Sequence, residues 1–178
     1  GGDADELLDG YAEERMLAAR ENLAVTDATM RFMVPGTDSE RRERDAILLA
    51  SVEDPAMRAK VNSGRLATPT VYGAPEAGLA GAVLPDAPVE PVRGTSAARL
   101  RELVGTARLQ LHVGCPPDGA PGDNAVEVIA ADAPVPGGRH PVVRDRQGRV
   151  AARLQDGAGA IVITVRPDAY VEAVSGRS

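Results

Sequence analysis

The sequence predicts an α/β protein in which a helical N-terminal segment precedes a small α/β domain. Three observations predict this. Near the N-terminus, apolar residues recur every three or four positions, which is the period of an α-helix. Proline and glycine recur throughout residues 65–95 and exclude long helices or strands there. The last third holds short alternating or fully apolar runs, which are typical of strands.

The first helix is predicted to run to about Met33, where Pro35-Gly36 ends it. Its apolar face is a stripe of eight residues, called the apolar stripe below: Leu8, Ala12, Met16, Ala19, Leu23, Thr26, Met30 and Met33. Such a helix would be roughly 45 Å long at ~1.5 Å per residue, which is more than a small domain needs for itself. We therefore expect part of the stripe to be exposed, or to be covered by residues 39–62 or by a second copy.

Two shorter helices are predicted to follow. Thr37, Asp38 or Ser39 is suited to cap a helix that runs to about Val52. Asp54-Pro55 then starts a third, because proline is favoured at the first helical position. We place domain boundaries at 1–64 for the helical segment, 65–95 for a packed connecting segment, and 96–178 for the α/β domain.

The α/β domain is predicted to contain two helices, four strands and a polar loop. In chain order these are a helix at 96–104, a strand at 108–113, the loop at 114–124, strands at 125–130, 148–154 and 160–165, and a helix at 169–174. The run AIVITV at 160–165 is fully apolar and predicts a central strand. We find no internal repeat and no coiled-coil heptad.

Charge and composition exclude several function classes. The formal net charge is −6, which argues against a nucleic-acid surface. Arg41, Arg42 and Arg44 alternate with acidic residues and predict a solvated helix face with internal ion pairs. No apolar run approaches the ~20 residues that span a bilayer. The single cysteine excludes an intrachain disulfide and favours a reducing, cytoplasmic location.

Cysteine and histidine give little catalytic signal. A thioredoxin-type redox site needs a second cysteine two residues away, whereas Cys115 is followed by two prolines and an aspartate. His112 and Cys115 lie three positions apart, but a zinc site needs three or four ligands. We therefore interpret Cys115 as an incidental thiol, and His112 and His140, the two histidines, as residues without a metal.

Phosphate-binding and other catalytic motifs are also missing. No glycine-rich dinucleotide or phosphate loop follows a strand, and no nucleophile elbow occurs. The loop at 119–124 is glycine-rich, but Asp118 and Asp123 would repel a phosphate. Asp168 is interpreted as the N-cap of the last helix. The sequence thus assigns no catalytic, cofactor-binding or metal-binding residue.

One ordered series of motifs resembles a known family. The series consists of YAEERMLAARENLAVTDATMRFM (11–33), RRERDAILLA (41–50), VNSGRLATPTVYG (61–73), LPDAP (84–88), LRELVG (100–105) and VRPDAYV (165–171). It is similar to the C-terminal part of FAD-dependent aromatic-ring monooxygenases of the phenol, hydroxyphenylpropionate and polyketide hydroxylase group. Tyr11, Glu14 and Arg15 match the Tyr-x-x-Glu-Arg helix that follows the flavin domain in that family. Ala169 stands where the closing motif usually has glycine.

The resemblance implies a thioredoxin-like C-terminal domain that lacks the cysteine pair. It implies that the parent enzyme uses FAD and NAD(P)H to hydroxylate an aromatic ring, and that this segment has no complete active site of its own. The implied role is structural, with the missing N-terminal FAD-binding domain as partner and a homodimer as a further possibility. The apolar stripe would then be the seam between the flavin domain and its C-terminal partner.

Two other hypotheses remain open at this point. The chain would also suit a freestanding thioredoxin-like binding or oligomerisation module without redox activity. An independent thiol redox enzyme would rest on Cys115 alone.

Overall fold

The computed structural model describes residues 2–61, 67–73, 78–115, 124–154 and 159–176. The chain divides into two compact units, Gly1–Thr70 and Val71–Ser178. In the first unit lie the helices α1 (Gly2–Met33), α2 (Asp38–Ala50) and α3 (Pro55–Val61). These three helices confirm the prediction of a helical N-terminal segment.

The start of α2 is set by a reciprocal pair of hydrogen bonds. The backbone N–H of Glu40 donates to the hydroxyl of Thr37, and the Glu40 carboxylate accepts from the Thr37 N–H at 2.9 Å. The hydrogen bond from the Thr37 side chain, followed by that from its backbone, lowers the pKa of Glu40. Thr37 is therefore the N-cap among the three candidates.

The second unit is built on one mixed six-stranded sheet. Its strands are β1 (Glu90–Arg93), β2 (Leu109–Val113), β3 (Ala125–Ala130), β4 (Val142–Asp145), β5 (Ile161–Val165) and β6 (Val171–Gly176). Their spatial order is β1-β4-β3-β2-β5-β6. Strands β2, β3 and β4 are mutually parallel neighbours, whereas β1, β5 and β6 each pair antiparallel.

The strand order identifies the type of α/β domain. The neighbouring strands β3 and β2 are parallel, and the β5–β6 hairpin continues the sheet antiparallel to β2. This order, with a parallel pair followed by an antiparallel hairpin, is that of a thioredoxin-like domain, and Cys115 is the single cysteine of the chain. The predicted fold class, an N-terminal helical segment followed by a thioredoxin-like α/β domain without the cysteine pair, is confirmed.

The hydrophobic core lies on one face of this sheet. Alternate residues of β2 and β5 point into it, as the two-residue period of a strand requires. Leu84, Leu100 and Val150 cover them from outside the sheet, and each is fully buried. The contribution of Leu84 shows that part of the predicted connecting segment packs within the second unit. The two units divide at Thr70–Val71.

Three predicted elements of the second unit are wrong in type. The helix predicted at 96–104 is a 3₁₀ helix of four residues, Leu100–Leu103. The strand predicted at 148–154 is the helix α4 (Arg149–Leu154), which starts because Asp145 caps it. The helix predicted at 169–174 is β6, because the turn before it closes a hairpin with β5. Strands β1 and β4 were not predicted.

Among the described residues, no helix is both long enough and apolar enough to cross a membrane.

Asp86 provides a pH-dependent contribution to the stability of the second unit. Arg99 Nε donates to Asp86 Oδ2 at 2.6 Å, and the Arg101 N–H donates to Oδ1 at 3.2 Å. Burial raises the pKa of Asp86, but these hydrogen bonds and the charges of the two arginines lower it by more, so its pKa lies below the ordinary value. Such a carboxyl stabilises the fold above its unfolded pKa of about 3.9 and loses that contribution as pH falls through the folded value.

We therefore expect Asp86→Asn to lower the free energy of unfolding at neutral pH. The difference from the unsubstituted protein should become smaller as the pH falls. Urea denaturation of both proteins on the two sides of about pH 3.9 measures this difference. A difference that is the same at both pH values would contradict the assignment.

Candidate functional site

A buried pair of ionisable side chains lies at the centre of the sheet in the second unit. His140 Nε2 donates to Glu127 Oε2 at 2.8 Å. The two side chains are 7% and 6% exposed, which makes them the most enclosed ion-pair candidates among the described residues. Because a buried polar group without a partner costs free energy, each of these side chains requires the other.

The strand registers extend this pair into a row of side chains across the sheet. Arg93 of β1 is opposite Val142 of β4, which is opposite Glu127 of β3, and Glu127 is opposite His112 of β2. Residues in register share a face of the sheet. The row therefore lies on the face opposite to the hydrophobic core, and His112 is itself buried at 4% exposure.

Arg93 holds the segment that carries His140 onto this face, and Gly138 leaves room for the imidazole. Arg93 donates from Nη1 to the carbonyl of Pro136 at 2.7 Å and from Nε to the carbonyl of His140 at 3.1 Å. Gly138 has a φ of 106°, and a Cβ there would lie 3.1 Å from Nδ1 of His140. These contacts place the imidazole over Glu127 and fill the space around it.

The chemistry that this arrangement supports is structural. A general acid or base must reach a substrate proton within hydrogen-bond distance, and both partners of the Glu127–His140 pair are enclosed by protein. Among the described residues, no three His, Cys, Asp or Glu side chains lie together as metal ligands would. We interpret the pair as a buried structural contact that fixes residues 136–140 on the sheet.

Cys115 and His112 lie just beyond the end of β2 and within it, respectively. Cys115 follows β2 and is 7% exposed, and its Sγ lies 3.7 Å from the carbonyl oxygen of Ile161. His112 lies on β2, opposite Glu127 of β3. The glycine-rich stretch at 119–123, with Asp118 and Asp123, lies outside the described residues.

Asp168 does not cap a helix, contrary to the sequence-based interpretation. It lies in the turn between β5 and β6, where its carboxylate accepts from Arg166 Nη2 at 2.6 Å and from the Tyr170 N–H at 3.3 Å. Residues beyond it continue as a strand because β6 pairs with β5. Asp168 therefore shapes a hairpin turn.

Ala169 follows Asp168 in the left-handed region, with a φ of 68°, and is the only non-glycine residue with positive φ in the described part of the chain. A Cβ makes this conformation unfavourable by about 1 kcal/mol. We expect Ala169→Gly to raise the free energy of unfolding by about 1 kcal/mol. The matched control is Ala173→Gly in β6, which should lower it by roughly 0.5–1 kcal/mol, because glycine weakens a strand. Urea denaturation measures both, and a destabilised A169G protein would contradict the prediction.

The first unit contains an open cleft between α1 and α2. Its volume is about 500 Å³, and its walls carry Ala24, Ala28 and Phe32 from α1 and Ile47 from α2. The rim is charged, with Asp27, Glu40 and Glu43 on the acidic side and Arg31 and Arg44 on the basic side. Since acidic residues outnumber basic ones there, the cleft does not favour an anionic ligand such as a phosphate.

The basic cluster on α2 has the predicted ion pairs. Arg41 pairs with Asp38 at 3.7 Å, and Arg44 pairs with Asp45 at 2.7 Å. Both arginines thus find acidic partners on their own helix, as a solvated helix face does.

The Glu127–His140 pair and the capping role of Asp145 were not predicted from the sequence. A signal for the first was present, since Glu127 interrupts an otherwise apolar strand, AVEVIA. A carboxylate in such a strand requires a buried partner, and a histidine is one candidate.

Comparisons with known proteins add one structural likeness. No protein-family profile matches the chain. No curated protein matches it. The crystal structure of reduced 2-Cys peroxiredoxin from Plasmodium vivax aligns with a TM-score of 0.40 and 13% identity, covering 56% of this chain and 86% of that one.

Proposed function

We propose that this chain is the C-terminal part of an FAD-dependent, NAD(P)H-using aromatic hydroxylase, with a structural role and no complete active site of its own. Its partner is the N-terminal FAD-binding domain of that monooxygenase, and its location is cytoplasmic. The motif series from Tyr11 to Val171 supports this parentage. In the fold, the first motif occupies α1, and the closing motif 165–171 forms the turn of the β5–β6 hairpin.

The exposure of the three helices is the observation that carries the proposal. No described side chain of the first unit is buried. Every residue of the apolar stripe is exposed, and Leu23 and Met33 reach 70% and 65%. Exposed apolar surface of this extent marks an interaction site in a soluble protein. A helical segment that evolved against a flavin domain accounts for such a surface.

The flavin chemistry belongs to the proposed parent and not to residues of this chain. FAD carries a pyrophosphate, which backbone N–H groups at a helix N-terminus or basic side chains hold. The cleft between α1 and α2 has an acidic excess at its rim, and the Glu127–His140 pair is enclosed by protein. These residues do not fit the cofactor, and no catalytic step is assigned to them.

A flavin titration tests the cofactor assignment. We expect the purified chain to be colourless, and FAD added in increasing amounts to keep the absorbance and fluorescence of the free cofactor. Stoichiometric binding at micromolar affinity would contradict the fragment hypothesis, because the flavin site would then lie within these 178 residues.

A second candidate function is a freestanding thioredoxin-like binding or oligomerisation module. The same exposed stripe favours it, since a second copy would bury that surface as well as a flavin domain would. Sedimentation tests the oligomerisation role, because a monomer at all concentrations argues against it.

A further inference from the structure

The apolar stripe of α1 has the geometry of a two-helix seam. Between Ala12 and Met33, its members are spaced four, three, four, three, four and three residues apart, which is a seven-residue period over three heptads. This seven-residue spacing departs from the sequence-based expectation of no coiled-coil heptad. Helix α1 is continuous through the whole stretch, so the period forms one exposed stripe that drifts around the helix by about 20° per heptad.

The apolar stripe and the side of α1 that faces α2 are separate except at Asp27, which flanks the stripe and also lines the cleft. Ala28 and Phe32 line the cleft toward α2, and they lie about 140–180° around the helix from Leu23 and Met30 at ~100° per residue. The stripe is also narrow. Polar or charged residues flank it, with Glu13, Arg20 and Asp27 on one side and Arg15, Asn22 and Thr29 on the other. An apolar stripe of two positions in seven is wide enough to pack against one partner helix, but too narrow to pack against a broad globular surface.

We propose that this seam pairs with the α1 seam of a second copy of the chain, with the two helices antiparallel. The inference goes beyond the proposed parentage and does not depend on it. Where a flavin domain is present, it would compete for the same surface.

The sizes of the seam residues favour the antiparallel orientation. From Ala12 to Met30, large side chains (Met16, Leu23 and Met30) alternate with small ones (Ala12, Ala19 and Thr26), and the seam ends on the large Met33. When one helix is reversed, two of the large residues, Leu23 and Met30, face small ones, whereas Met16 faces Met33 of the second copy. Leu23 then lies opposite Thr26 of the second copy, and Met30 opposite Ala19 of the second copy. Parallel helices would instead stack small residues on small residues and leave gaps between the large ones.

The flanking charges select one register. With Leu23 opposite Thr26 of the second copy, Arg20 of each helix faces Asp27 of the other. Asp27 also pairs with Arg31 of its own helix, and both Asp27 and Arg20 are exposed. Sliding the helices by one heptad in either direction places Arg20 against Arg20 or Asp27 against Asp27, and like charges across the seam are unfavourable.

Analytical ultracentrifugation of the full chain tests the pairing. A single-helix seam is a small interface, so we expect a concentration-dependent monomer–dimer equilibrium. Leu23→Glu should raise the dissociation constant by at least about tenfold, because it buries a charge in the seam. The matched control, Leu49→Glu on the exposed face of α2, should leave it unchanged. A monomer at all concentrations, or equal effects of the two variants, would overturn the proposal.

Arg20→Asp provides a second test that does not touch the apolar seam. It places an acid opposite Asp27 of the second copy at two symmetric points, and we expect the dissociation constant to rise about tenfold at low salt, and by less at high salt. Both Leu23 and Arg20 are exposed in the single chain, so their substitution should leave the far-UV circular dichroism of the monomer unchanged. An unchanged dimer in R20D would exclude this register.

Oxidative cross-linking tests the orientation in a Cys115→Ser background. The Ala19→Cys and Met30→Cys proteins should form a disulfide only when mixed, because the two positions face each other across an antiparallel seam. A parallel pair would instead cross-link each variant with itself. Cross-linking of either variant alone, without a mixed product, would overturn the antiparallel arrangement.

Discussion

Glu127→Ala is expected to lower the free energy of unfolding of the second unit by about 4 kcal/mol. The carboxylate accepts from His140 at 2.8 Å, and both side chains are almost fully buried. Its removal leaves the imidazole N–H without an acceptor and opens a cavity between β3 and the segment that carries His140. The cost of the cavity adds to that of the lost hydrogen bond, because hydrogen bonds from Arg93 hold that segment in place.

Two matched variants separate the buried bond from a general effect of removing an acid. Glu127→Gln keeps the volume and one acceptor oxygen, and should cost roughly 1–2 kcal/mol. Glu172→Ala removes an acid that pairs with Arg108 at the surface, and should cost less than about 1 kcal/mol. Hydrogen exchange of the β2 and β3 amides in increasing urea reports on this unit alone. Equal decreases in the free energy of unfolding of E127A and E172A would refute the structural role of the Glu127–His140 pair.

Asp145→Ala is expected to cost about 3 kcal/mol, the second largest effect. The side chain is 4% exposed, and its two oxygens accept from the backbone N–H groups of Arg149, Val150 and Ala151 at 2.9–3.0 Å. The carboxylate thus satisfies three donors at the start of α4, where no carbonyl of the helix can. Without the carboxylate, the first turn of α4 loses its hydrogen-bond acceptor. The buried residues Val150 and Leu154 then lose their positions in the core.

Asp145→Asn and Asp132→Ala are the controls for this prediction. Asparagine retains one acceptor oxygen but no charge, so we expect about half of the loss. Asp132 is exposed, and its removal should change the free energy of unfolding by less than about 0.5 kcal/mol. The same hydrogen-exchange measurement, read at the amides of Val150 and Ala151, checks all three variants. Protection in D145A equal to that of the unsubstituted protein would contradict the capping role.

Long or strongly periodic segments were predictable from the sequence. α1 was predicted because its apolar period is maintained over eight positions, and β5 because AIVITV is β-branched throughout. The cap of α2 was predictable from local residues alone, since the Thr37–Glu40 box lies within four positions. In each case the physical cause of the structure is local.

Short segments failed because their local pattern is ambiguous. The hexapeptide RVAARL suits a strand or a helix, and Asp145 decides for a helix through bonds that the period does not show. VEAVSG becomes a strand because β5 pairs with it, which is a tertiary effect. β1 was missed because Pro91 argued against a strand, yet β1 is an edge strand, where proline is tolerated.

The buried polar residues illustrate the same limit. Glu127 and His140 are thirteen positions apart, and their contact depends on Arg93, which is another forty-seven positions from His140. The register of four strands brings these three side chains together, and the sequence pattern shows only that Glu127 needs a partner. The exposed seam of α1 likewise required the fold, because periodicity identifies an apolar face but not whether it is covered.

The DNA sequence immediately upstream of the codon for Gly1 tests the proposed parentage most directly. We predict an in-frame Gly-Asp segment directly before Gly1, preceded by the glycine-rich fingerprint of a flavin-binding domain. A start codon within a few residues of Gly1, or an unrelated domain in frame, would contradict the assignment and leave the oligomerisation module as the function of this chain.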